Sequence, residues 1–185
     1  MTEQQPYDVV QQHDGWELRR YPAHVVAETV VRGASFEDAG NRAFRSLAGY
    51  IGGDNAISRS IAMTAPVVQS SEKIAMTAPV VQQSRGEGFV VAFVLPAEIT
   101  EADAPIPTNA DVTLRTIPAQ LVAALRFSGR WTHESWEKHL DDLLAKVRAA
   151  GLTVQGEPRF ARFDPPIMPS FLRHNEVQLE VAEAD

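Results

Sequence analysis

The chain has 185 residues, 44% hydrophobic and 22% charged, the make-up of one soluble globular domain large enough to bury its own core. It contains no cysteine, which excludes disulfide scaffolding, thiolate metal ligation, thioether-linked cofactors and cysteine nucleophiles. Lys+Arg 17 against Asp+Glu 24 leaves a net charge of −7, which argues against nucleic acid or an anionic membrane as a partner. Residues 1–10 carry no cationic patch ahead of an apolar core, and no apolar run approaches the roughly 18 residues of a membrane span. A cytoplasmic location is the expectation.

Along the chain, Trp16–Tyr21 alternates and His24–Val31 is rich in valine. Both read as strands, and the Pro22-Ala23 turn is expected to join them as neighbours. Ser35 is placed to cap a helix, with Asp38 three residues on. Phe36, Gly40, Ala43, Phe44, Leu47 and Ile51 form its apolar stripe, and Gly52-Gly53 ends it. Ile61–Gln69 and Ile74–Gln82 both read IAMTAPVVQ. The polar connector between them predicts a hairpin of two similar strands. Pro66 and Pro79 cannot donate to a ladder, so they predict edges or bulges. The hairpin is read first as a protruding or rim element; the sharper reading makes Met63 and Met76 soft, adaptable contacts for a bound planar ligand.

Phe89–Leu95 is nearly all apolar, as in a strand covered on both faces. Val112–Ile117 and Gln120–Phe127 flank a second Pro-Ala joint, Pro118-Ala119. Thr132 is the cap of a second helix with the stripe Trp136, Leu140, Leu143, Leu144 and Val147, ended by Gly151. Arg159–Phe163 and Val177–Val181 are the last strands.

The chain is duplicated. Shifted by 96 positions, Leu18, Arg19, Pro22, Ala23, Val26, Ala27 and Gly33 fall on Leu114, Arg115, Pro118, Ala119, Val122, Ala123 and Gly129. Seven identities in sixteen gap-free positions exceed the one or so expected from ordinary composition. The fold expected is α+β: two pseudo-two-fold βαββ-type halves, about 16–95 and 112–182, forming a curved, barrel-like, mainly antiparallel sheet flanked by two helices. One domain over 7–182 is expected, with short tails at 1–6 and 183–185.

Chemistry is sparse. His13, His24, His133, His139 and His174 include no pair at helical metal-ligand spacing, and no phosphate loop, nucleophile elbow or paired acid and base is visible. A binding module is expected rather than an enzyme. The stretch FARFDPPIMPSFLRHN, 160–175, is the odd one. Its prolines forbid regular structure, yet Phe163, Ile167, Met168, Phe171 and Leu172 are large and apolar. Such a loop either covers a core or lines a cleft. Arg159, Arg162 and Arg173 flank it and suit ligand carboxylates.

Several segments carry a resemblance: Trp16–Tyr21 with Pro22-Ala23, Tyr50-Ile51-Gly52-Gly53-x-Asn55, both IAMTAPV copies, Phe89–Pro96, Phe163-Asp164-Pro165-Pro166-x-Met168-Pro169, and Arg173-x-Asn175-Glu176-Val177. With them the chain resembles the SOUL haem-binding family over roughly 7–182. The resemblance implies an architecture similar to gyrase-inhibitor-like effector-binding domains. It also implies non-covalent binding of haem, a related porphyrin or another planar small molecule, as carrier, buffer or scavenger. The implied site is an apolar cleft between the first helix and the segment Phe163–His174. On that basis the site is expected at Phe44, Leu47, Met63, Phe163, Ile167, Met168 and Phe171, with Arg42, Arg45 and Arg173 toward propionates, and with His174.

Where family branches carry proposed iron ligands, this chain has Arg20 and Gly49, and arginine does not ligate iron at ordinary pH. The metal ligand is therefore left open among His174, His24, Met168 and Tyr21. The alternative is an effector or drug-binding module holding a cationic aromatic ligand against Glu28 or Glu176. The oligomeric state is left open.

Overall fold

The computed structural model describes residues 3–71, 88–164 and 167–183. Ten strands and two long helices lie in them, in the order β1 (Glu3–Gln4), β2 (Asp8–His13), β3 (Trp16–Tyr21), β4 (His24–Arg32), α1 (Phe36–Gly52), β5 (Thr64–Ser71), β6 (Gly88–Val94), β7 (Thr113–Ile117), β8 (Gln120–Phe127), α2 (His133–Ala149), β9 (Leu152–Arg162) and β10 (Asn175–Glu183). One sheet runs β2-β3-β8-β10-β9-β5-β6-β4-β7. All its pairs are antiparallel, and β1 adds in parallel to β5. The α+β class with a mainly antiparallel sheet and two flanking helices is the observed fold. Glu3–Gln4, read as tail, is part of the sheet.

The duplication appears as a palindrome in the strand order, with its centre between β9 and β5. It carries an exchange. β3 of the first half pairs with β8 of the second, and β7 of the second pairs with β4 of the first. The two strands flanking Pro22-Ala23 therefore do not pair with each other, contrary to the sequence reading, and neither do those flanking Pro118-Ala119. Only Pro22 and Ala23 separate β3 from β4, a reach of at most about 11 Å. In a flat sheet these strands, second and eighth in the order, would stand roughly 29 Å apart. The short joints thus force the sheet to curl until its ends approach.

Alternation sets the two faces of the sheet. Trp16 and Leu18 join Leu125, Phe160, Val177 and Leu179 in a core under α2. Val25, Ala27, Val91 and Phe93 pack under Ala43, Leu47 and Tyr50 of α1. Both helices begin as expected. The Ser35 hydroxyl accepts from the Asp38 amide, and the Thr132 hydroxyl accepts from the Ser135 amide. The helix starts meet at the pseudo-axis. The His133 amide donates to Glu37 Oε1 at 3.0 Å, across 96 residues of sequence, and Phe36 stacks on Trp136 at 5.3 Å.

Two sequence readings need correcting here. Phe44, counted in the buried stripe of the first helix, is 45% exposed; the buried face runs through Ala39, Ala43, Leu47 and Tyr50 instead. The expected hairpin of the two IAMTAPVVQ copies fails on the side of the first copy. From Val67 on, β5 is flanked by β6 and by β9, and a strand has only two edges. Pro66 sits at the bulge between Thr64 and Val67, where the missing amide costs the ladder nothing. The second copy, with Met76 and Pro79, lies outside the described residues.

Candidate functional site

An apolar cleft of about 330 Å³ opens between α1 and the end of β9. Helix α1 contributes Gly40, Asn41 and Phe44, which share a face at i and i+4 spacing. Met63, Ala65 and Val67 come from the entry of β5, and Arg162, Phe163 and Asp164 from the exit of β9. Trp131, just before the cap of α2, closes one side. Phe44 leans on Phe93 at 5.5 Å, and Met63 is 37% exposed, so the walls are apolar surface held open to solvent.

A second, more polar hollow of about 540 Å³ adjoins it and shares Asn41, Trp131 and Arg162. Glu37, Arg130, Ile167, Met168 and Arg173 line the rest. The guanidinium carbons of Arg162 and Arg173 lie 4.9 and 4.2 Å from the Trp131 ring centre. Trp131 is fixed by its indole N–H donating to Asn175 Oδ1 at 2.7 Å. Burial pushes the Arg162 guanidinium down to about 10.

The expected site residues divide. Phe44, Met63 and Phe163 meet in the cleft, and Ile167, Met168 and Arg173 line the adjoining hollow. Leu47 is wholly buried in the α1 core and cannot touch a ligand. Its place at i+3 from Phe44 points it at the sheet. Arg42 and Arg45 are exposed on α1 and line none of these hollows. Phe171 is 73% exposed beyond the rim. His174 stacks on Phe163 at 4.0 Å but lines the helix-free face of the sheet instead. The residues missed were Trp131 and Asn41; Arg162, read as flanking the proline-rich segment and suited to carboxylates, lines both hollows. The available signal was a tryptophan directly before a helix cap, where an apolar residue commonly folds back on the first turn.

On that helix-free face lies a buried polar network. Glu176, with no exposed surface, accepts from Arg19 Nη1 and Nη2 at 2.8 and 3.0 Å, from Gln178 at 2.9 Å, and pairs with His174 Nε2 at 2.8 Å. Burial would raise its carboxyl, but the bonds from His174, Arg19 and Gln178 win and hold it at about 2. Burial pushes the neighbouring Tyr21 hydroxyl up to about 12. Further along, His24 and Tyr21 face a small cavity of about 60 Å³ with Glu28, whose carboxylate pairs with Arg115 at 2.8 Å. Of the four candidate metal ligands, Met168 lines the adjoining hollow, His174 stacks behind the cleft's Phe163, and His24 and Tyr21 face the small cavity. Among the described residues no cluster of three or more His, Cys, Asp or Glu could hold a metal ion, and no helix is long and apolar enough to cross a membrane.

A curled, duplicated antiparallel sheet flanked by two helices, with an apolar cleft beside the first, places the chain in the α+β class. The family described as SOUL heme-binding protein matches residues 2–180, and the chain belongs to it. Comparison with curated proteins finds no match. Among solved structures, the C-terminal domain of EcmrR superposes with a TM-score of 0.67 at 13% identity, over 96% of this chain and 99% of that one. A hydrolase from Listeria innocua gives 0.60 at 10% identity, over 90% and 91%. SAV2435 bound to tetraphenylphosphonium gives 0.54 at 9% identity, over 90% and 93%. At these identities the likeness is one of fold.

Proposed function

We propose that the protein binds haem or a related tetrapyrrole non-covalently, in the cleft between α1 and the exit of β9, as a carrier, buffer or scavenger rather than an enzyme. The observation that carries this reading is the cleft itself: aromatic and thioether surface kept exposed, with cations at its border. Phe44 and Met63 are exposed side by side in that cleft, and it is a contiguous apolar patch, not a single side chain, that points to a contact surface. The residues fit a macrocycle better than they fit its iron. Phe44, Met63, Phe163 and Trp131 offer flat, soft contacts, while no histidine lines the cleft. Bound haem would supply its own redox chemistry; this chain would bury one edge and orient it. Apolar burial at about 25 cal/mol/Å² over a few hundred square ångströms suffices for micromolar affinity after ordering costs.

The cationic-ligand alternative has weaker support. Both carboxylates considered for it, Glu28 and Glu176, are already paired with arginines. Titrating the protein with ferric haemin and with iron-free protoporphyrin, followed by absorbance and tryptophan quenching, tests the reading. Saturable one-to-one binding of both with similar affinity is expected. If neither binds more tightly than about 100 μM (roughly −5.5 kcal/mol), the reading fails.

A further inference from the structure

Arg162 ends β9 at the junction of the cleft and the adjoining hollow. It is only 9% exposed. Its Nη2 donates to Gln69 Oε1 at 2.9 Å, and Gln69 is itself fixed by donating to the Phe36 carbonyl at 3.0 Å. Its Nε is buried and has no hydrogen-bond partner. Among the described residues no carboxylate stands within ion-pair distance of it. Glu37, whose charge reaches Arg162 without an ion pair, accepts from the His133 amide, and Asp164 accepts from the His174 amide. The rings of Trp131, Phe160 and Phe36 lie 4.9, 5.2 and 5.9 Å from the guanidinium carbon. They partly offset the lost water but offer no acceptor to Nε.

A buried cation without a counter-ion is an expensive arrangement, and the fold is shaped to hold it. Gly40 lies inside α1, where glycine is disfavoured. A Cβ at that position would stand 2.5 Å from Arg162 Nη1. The helix is thinned where the guanidinium passes beneath it.

We infer that Arg162 anchors a carboxylate of the ligand, so that the ligand enters the cleft acid end first with its apolar body outward over Phe44 and Met63. The inference rests on the proposed tetrapyrrole-binding reading and adds an orientation and a chemical requirement to it. A carboxylate presents two acceptors to the planar fork of donors and satisfies Nε with a neighbouring nitrogen. The aromatic walls keep water away and strengthen that pair. Arg173, more exposed and already donating to the Met168 carbonyl at 2.8 Å, lies toward the rim.

The test compares protoporphyrin IX with its dimethyl ester on the wild type, Arg162→Met, Arg173→Met and Gly40→Ala. The wild type is expected to prefer the acid at least tenfold. Arg162→Met, whose side chain follows the same channel without charge, is expected to bind the acid at least tenfold more weakly and the ester within threefold of wild type. Gly40→Ala displaces the guanidinium from the helix side and should erode the same preference, which keeps the test open if Arg162→Met does not fold. Equal binding of acid and ester by the wild type overturns the anchor while leaving the cleft reading intact. So does a preference that survives Arg162→Met and disappears in Arg173→Met. Binding of neither compound overturns the tetrapyrrole reading and the anchor with it.

Discussion

Arg19 and Arg162 are both buried arginines, 4% and 9% exposed, on opposite faces of the same sheet. Arg19 meets Glu176 through two nitrogens and is further held by Glu17 and Tyr21. Arg162 meets one neutral amide and three aromatic rings. The proton affinities follow: Glu176 outweighs burial and raises Arg19, whereas burial, joined by the Arg173 cation, outweighs Glu37 and lowers Arg162. The first arrangement is closed, since every strong donor and acceptor has an answer inside the protein. The second is open toward a cleft. A closed network reports on stability, and an open one reports on a ligand.

The largest expected effect breaks the closed network. Glu176→Gln takes the buried bidentate partner from Arg19 and leaves it only the partly exposed Glu17, and is expected to cost about 3–5 kcal/mol in urea unfolding. Arg162→Met should change stability by about 1 kcal/mol or less, since it removes a buried cation that has no ion pair and a single hydrogen bond, to the neutral Gln69. Similar costs for the two would erase the distinction. Next comes pH. Glu176 sits at about 2 against an ordinary 4.5, so its contribution is complete above the unfolded value and is lost as pH falls from about 4.5 toward 2. That loss is on the order of 3 kcal/mol. An unfolding series across this range should show the slope, and Glu176→Gln should flatten it.

On the open side, Phe44→Ala should weaken porphyrin binding about tenfold with little change in melting, while His174→Ala should weaken it less than threefold. Loss of binding with His174→Ala alone would move the site to the helix-free face. The smallest effect sharpens the contrast from outside both networks. Ser35→Ala removes a cap worth about 1 kcal/mol and should leave porphyrin affinity unchanged.

Elements with a period were readable in the sequence, and partners were not. The 96-residue shift located both helices, and Ser35 and Thr132 marked their starts because capping is a local act. The pairing of β3 with β8 was invisible, since a two-residue joint is equally compatible with a hairpin and with a crossover. β2 was missed because Val9 and Val10 sit on an exposed edge, 49% and 48% exposed, without alternation. Of the two α1 residues named, Phe44 lines the cleft and Leu47 lies in the core, because a stripe does not say which flank turns to the sheet. The sequence offered Arg162 alongside Arg159 and Arg173; what set it apart was Gly40, 122 positions earlier in sequence, lying against its guanidinium.

The exchange of first strands also bears on how such a protein can arise. Each half lends β3 or β7 to the sheet of the other, so neither half made alone could complete its own strand pairing. Two identical copies of one half could do so by trading the same strand across a two-fold axis. The single chain is then best understood as a swapped dimer whose subunits have been joined end to end. Once joined, the two halves were free to diverge.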